Sequence, residues 1–208
     1  MNSVFCIKMR SFTLVVFLLI ASIGQAQQAG NAFYQGQFAP PFSIKDIDGK
    51  FHSPEKYEGQ KIILLFYRSA ADPVSNYRFH ELEAQHDYFK QQGIILLAIY
   101  ESLPENVQLL RDTNQYYQVM IADPDGVLYK LYNIEESRRK KLKGTLHGSN
   151  QKAKEGKSLM KREIPEDGKA KHNGAEFIID EHGNILNAHY AKYPGDYIPV
   201  LTLRELSR

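Results

Sequence analysis

The sequence predicts an α/β domain built on a mixed central sheet. Three observations predict it. Near-continuous apolar runs suit strands buried on both faces, helical patterns separate those runs, and two β-rich segments around a Gly-containing turn come near the end. The runs "KIILLFY" (61–67) and "GIILLAIY" (93–100) are the clearest, and "QVMIAD" (118–123) is a third.

The elements follow in chain order. Residues 27–41 are polar, carry Gly and Gln, and end in Pro40-Pro41, which reads as an extended lead-in to a domain spanning 42–208. "FSIKDIDGKFH" alternates apolar and polar residues around Asp48-Gly49, a hairpin signal. From Pro73 to Lys90 a helical pattern gives Val74, Tyr77, Phe79, Leu82, Tyr88 and Phe89 as the candidate buried side. A second helix opens at "SLPENV", with Pro104 near its first turn, and runs to Tyr117. The turn "DPDG" (123–126) leads into a short helix, "VLYKLYNI" (127–134), with Leu128, Leu131 and Tyr132 inward. "AEFIIDEHGNILNAHY" (175–190) reads as a hairpin and "DYIPVLTLREL" (196–206) as a closing helix. The right-handed crossover rule makes the first two strand–helix units a parallel pair.

Residues 1–26 have the three parts of a secretory signal peptide. Lys8 and Arg10 form a positive start, Phe12–Ile23 an apolar core, and Gly24-Gln25-Ala26 the small residues of a cleavage site. The competing readings are an uncleaved anchor or a buried helix, but so short a run falls below the roughly 20 residues a spanning helix needs. The expectation is an exported, periplasmic or secreted protein with no transmembrane segment after cleavage. Cleavage removes two Lys+Arg and no Asp+Glu, so 24 of each sign remain and the net charge is zero. That balance gives no electrostatic case for nucleic acid.

Ser137–His172 departs from the rest, with 12 Lys+Arg against 4 Asp+Glu and no aromatic residue. Without stacking aromatics or a reading element, it points away from nucleic acid. It reads as a solvated, flexible, lysine-rich insertion (137–172) that is open to attraction by anionic envelope surfaces.

The single cysteine of the chain, Cys6, lies in the signal, so the expected mature protein forms neither disulfide nor thiolate. This count matters because of a resemblance. "FYRSAADPVSNYRFHEL" (66–82) resembles the strand–loop–helix phrase F-Y-R-G-x-W-C-P-x-C of the thioredoxin-like peroxiredoxins, in particular the alkyl hydroperoxide reductase/thiol-specific antioxidant group. "ADPDGVLYKLY", "GAEFIIDEHGNILNAHY" and "YPGDYIP" extend the resemblance over about residues 38 to 206. It implies a thioredoxin-like fold and a peroxidase-type antioxidant oxidoreductase. The family's site residues do not carry over. Its first cysteine falls on Asp72 and its second on Ser75, the aromatic before the first on Ala71, and the glycine on Ser69. The cis-proline that thioredoxin-like proteins place opposite the cysteines falls on Gly174, whereas Arg68 and Pro73 match.

The residue types support the same reading. A reactive thiolate at a helix N-terminus gains from unpaired N–H groups and the helix dipole. A carboxylate or hydroxyl cannot take its place in thiol–disulfide exchange. Directly before Pro73, Asp72 instead has the signature of a helix N-cap. Arg68, at the end of a buried strand, suits pairing with Asp72 or contact with an anionic ligand. His80 and His86 stand six apart on the predicted helix and do not face one metal. His182 reads as a turn residue, His189 as a strand residue without an assignable partner, and no histidine can be assigned to a Ser75–Asp72 hydrolytic pair. No cofactor or metal is expected. The sequence therefore favours a redox-inactive thioredoxin-fold binding or interaction module with an unknown protein or small-molecule partner. The alternative is an oxidoreductase that borrows a cofactor or a partner's thiol.

Overall fold

A computed structural model describes residues 32–112, 114–136, 148–167 and 172–208, which belong to one compact unit, Ala32–Arg208. The expected signal peptide lies outside the described residues. A two-residue hairpin, β1 (Ile44–Lys45) and β2 (Phe51–His52), pairs Ile44 with His52. Asp46 closes its turn by accepting from the N–H groups of Asp48 and Lys50, both at 2.9 Å. A 3₁₀ turn (Glu55–Tyr57) follows.

The core sheet is built from β3 (Ile62–Tyr67), β4 (Ile95–Tyr100), β5 (Val119–Ala122), β6 (Ala175–Ile179) and β7 (Ile185–Tyr190). Their order is β5-β4-β3-β6-β7, with β3, β4 and β5 parallel and β6 and β7 antiparallel additions. This is the mixed sheet that the apolar runs predict. Alternate residues of β3 serve two separate cores. Ile63, Leu65 and Tyr67 face one with Phe79, Leu82 and Phe89, while Ile62, Leu64 and Phe66 face the other with Tyr129, Tyr132 and Phe177. All six residues of β3 are buried, and each large apolar side chain removed from water contributes about 1.5–3 kcal/mol.

The helices are α1 (Pro73–Glu83), α2 (His86–Gln91), α3 (Pro104–Arg111), α4 (Val127–Leu131), α5 (Ser149–Leu159) and α6 (Val200–Leu206). Several of the expected helices differ in extent from the sequence reading. The helix expected over 73–90 is interrupted at Ala84–Gln85, where the Glu83 carboxylate turns to Tyr117 N (2.6 Å) and the Gln118 side chain (3.1 Å). The helix expected to reach Tyr117 stops at Arg111, and Asp112 takes a positive φ of 54°. The closing helix begins only at Val200, after Pro199. The lead-in is also more than a tether. Gly36 and Ala39 donate to Ile185 and Gly183 carbonyls, and Gln37 O accepts from Ile185 N, covering the outer end of the β6–β7 hairpin.

The largest departure concerns the insertion. Where a solvated, flexible stretch is expected over 137–172, residues 149–159 form a largely solvent-exposed helix, α5, laid against α1; residues 137–147 and 168–171 lie outside the described residues. Gly156 sets the approach. A Cβ there would fall 1.8 Å from the Pro73 carbonyl oxygen, so only glycine permits this backbone contact.

One buried group ties these layers together. Arg78, 1% exposed on α1, donates from Nε to Glu176 of β6 (2.8 Å), from Nη1 to Glu81 (2.7 Å) and from Nη2 to Ile198 O (2.8 Å). Glu176 completes the ring by accepting from Ile198 N at 2.8 Å. Burial works against the guanidinium charge, but Glu176 beside it, with Tyr67 and Glu81, more than offsets this and raises its pKa above the ordinary value. Arg78→Met is expected to cost about 3–5 kcal/mol in urea unfolding, because it leaves the Glu176 charge buried and unpaired. Arg78→Met with Glu176→Leu should cost less than Arg78→Met alone; a double variant as unstable as the sum of its singles would refute the pairing.

Candidate functional site

β3 ends at Tyr67, and five residues carry the chain to α1 at Pro73. Asp72 is the N-cap, with extended backbone (φ −78°, ψ 114°), and its Oδ2 accepts from Ser75 N at 3.1 Å and from Ser75 Oγ at 2.7 Å. Pro73 occupies the first helical position, where its missing N–H costs nothing. This is the cap the sequence implies. Ser75 Oγ also accepts from Arg68 N at 3.1 Å, so its proton and one lone pair are both used inside the cap. Ser75 is 1% exposed and has no histidine hydrogen-bond partner among the described residues.

Gly174 stands one residue before β6, opposite this turn. A Cβ added there would lie 3.1 Å from Phe66 O and 3.7 Å from the Tyr197 ring, so the strand start runs close beneath the end of β3. No cis peptide occurs among the described residues. Asp72, Ser75 and Gly174 therefore do converge. Together with Arg68, His172 and Tyr197 they line one cleft.

The Arg68–Asp72 pairing is not found. Among the described residues Arg68 forms no ion pair; it is half-buried and lines the cleft. The reason is geometric. Asp72 turns its carboxylate onto the first-turn donors of α1, and Arg68 remains beside the opening.

Two residues of the cleft have no signal in the sequence. His172 is buried, with Nδ1 3.1 Å from Glu101 Oε1, its backbone N–H donating to Glu101 Oε2 (2.9 Å), and its ring stacked on Tyr129 at 5.1 Å. Tyr197 comes from the loop before α6. Its hydroxyl lies 3.4 Å from Val74 O, and Arg78 sits 5.2 Å from its ring centroid. Burial, then the charges of Asp72 and Glu176, raise this phenol well above its ordinary pKa, so it stays neutral and a donor.

His80, His86, His182 and His189 do not line the cleft. His80 is on α1, and His86 opens α2 with Nδ1 3.0 Å from Glu83 O. His182 occupies the β6–β7 turn, donating its N–H to Asp180, as its sequence context implies. His189 is half-buried on β7 and has a partner after all, Asp196 O at 3.0 Å. Among the described residues no group of three or more His, Cys, Asp or Glu is placed to hold a metal. Asp72→Ala, which removes the side-chain cap, is expected to lower unfolding free energy by about 0.5–2 kcal/mol, with Asp72→Asn losing less. Equal stability of Asp72→Ala and the unaltered chain would show that the cap carries no weight.

Known proteins share both the sequence pattern and this architecture. Peroxiredoxin Bcp of Escherichia coli is 23% identical over 158 residues, covering 75% of this chain and 94% of that protein. The crystal structure of peroxidoxin BcpB from Mycobacterium tuberculosis superposes with a TM-score of 0.57 at 12% identity, covering 79% of this chain and 90% of that one. The reduced 2-Cys peroxiredoxin of Plasmodium vivax gives a TM-score of 0.59 at 14% identity, covering 84% and 94%. At these identities the structural likeness establishes the thioredoxin-like fold and nothing finer. The sequence pattern of the AhpC/TSA family matches residues 35–188. With that match over most of its length, the chain belongs to the AhpC/TSA family.

Proposed function

We propose that this AhpC/TSA-family chain is an exported binding module whose site has given up thiol chemistry and kept a small ligand cleft. One observation carries the reading. The carboxylate of Asp72, committed to Ser75, fills the helix N-terminus where the family resemblance places a reactive cysteine, and the only cysteine of the chain is Cys6. Arg68 supports the second half. It is a half-buried cation on the rim of the cleft, outside any ion pair among the described residues, which suits a small anionic group such as a carboxylate. Export rests on the charge, apolar core and small residues of positions 1–26.

The first test is hydroperoxide consumption by the purified protein with dithiothreitol as reductant. No turnover above background is expected. Turnover would favour the second reading, a peroxidase-type oxidoreductase that uses a cofactor or a partner's thiol. Binding of small carboxylates should be weakened about tenfold or more by Arg68→Ala, since a charge-assisted bond contributes about 1.5–3 kcal/mol. Unchanged titrations would remove Arg68 from the site. Asp72→Cys should also create a thiol with a pKa below the free value of about 8.5, because the first-turn donors of α1 remain. An ordinary value would mean that the helix end exerts no such pull.

A further inference from the structure

α5 crosses the domain at one particular place. Its Gly156 touches the first turn of α1, where Asn76 Nδ2 donates to Gly156 O at 2.7 Å. Its first half runs along the 193–197 loop. Ser149 Oγ donates to Pro194 O, Lys152 Nζ donates to Gly195 O at 2.6 Å, and the same ammonium lies 5.5 Å from the Tyr197 ring. Beyond α5 the chain is anchored at the start of α3, where Asp167 accepts from Leu103 N (3.2 Å) and Asn106 Nδ2 (2.7 Å), while Ile164 is buried in the core. The helix is thus pinned on both sides of position 72. The Arg68 cleft opens on one flank, and Ala71 and Pro73 line a second groove with Met160 and Ile164 on the other.

The way α5 is held differs from the other helices. Only Ser149 and Gly156 are buried along it, so it brings no large apolar side chain to the core. What fixes it is a backbone contact that glycine alone allows, together with a few hydrogen bonds to loop carbonyls. An element with little apolar anchorage opens locally at low cost. It also lies across the end of α1 to which a macromolecular partner would need to come to reach position 72.

We propose that α5 is a latched strap over this face: it admits small molecules to the cleft and screens position 72 from macromolecules until the latch at Ser149 and Lys152 is released. The proposal rests on the cleft as the binding site, but its test does not use ligand binding. The full chain carrying Cys6→Ser and Asp72→Cys holds one thiol, at position 72. Its alkylation by iodoacetamide is compared with alkylation by a maleimide carried on a long polyethylene glycol chain. Adding Ser149→Ala and Lys152→Ala, which removes two latch bonds, should raise the bulky reagent's rate by about tenfold and iodoacetamide's by less than about twofold. Equal changes for both reagents, or none, overturn the strap. Gly156→Ala, which displaces the crossing itself, should act in the same direction; if that variant does not fold, the latch variant decides alone. As a second measure in the otherwise unaltered chain, amide hydrogen exchange over 149–159 and 193–197 should accelerate together when the latch residues are replaced. Acceleration confined to one segment refutes the latch. Loss of carboxylate binding in Arg68→Ala tests the cleft separately, so the strap and the ligand reading fail independently.

Discussion

The buried ring formed by Arg78, Glu176 and Ile198 joins three parts of the molecule through directional bonds. Arg78 belongs to α1, Glu176 to β6, and Ile198 to the loop that leads into α6. Taking two charges out of water is costly, and a pair this deep is tolerated because its polar atoms find partners in good geometry. Apolar side chains would pack these layers with similar energy, but they would not fix how far along α1 the strand sits. The directional bonds set that register. They hold Tyr197 over the first turn of α1, while the β3–β6 ladder, with Phe66 opposite Ala175, sets Gly174 under the end of β3.

Within that frame the site shows what happens when a carboxylate stands at a helix end suited to a thiolate. The helix offers the same unpaired N–H groups to either anion. A thiolate there is activated by partial stabilisation and keeps its lone pair for attack. Asp72 instead holds its Oδ2 in the cap, bonded to both the backbone N–H and the hydroxyl of Ser75. The local fold thus places a capping carboxylate, and no thiol, at this helix end. The consequence for Arg68 follows from geometry alone: with Asp72 turned inward, a half-buried cation is left at the mouth of the cleft.

The sheet and the turn chemistry were legible because they depend on short-range pattern. "KIILLFY" and "GIILLAIY" are apolar on both alternating faces, and each face found its own core. Asp72 before Pro73 was legible as a cap because capping involves residues within one turn. The break after Glu83 was not legible, since nothing between Leu82 and Tyr88 is Gly or Pro and the carboxylate's partners lie more than thirty residues away. Arg78 and Glu176 read as ordinary charged residues, because their pairing spans 98 positions. His172 sat inside a stretch dominated by lysine, where composition argued for solvent. Composition misread α5 for a related reason. Its polar sequence lacks an apolar stripe, and the helix is held by a close backbone contact that a single glycine permits.

By itself the sequence determined the α/β class, the succession of strands and helices along the chain, the absence of a cysteine after Cys6 and the cap at Asp72. Each of these is fixed by residue identity or by neighbours within a few positions. Only the tertiary structure decided that Asp72, Ser75, Arg68 and Gly174 face one cleft, that Arg68 does not pair with Asp72, and that α5 crosses the helix end. Those outcomes depend on directional bonds and close approaches between segments distant in the chain, and no local pattern of side chains encodes which of them will meet.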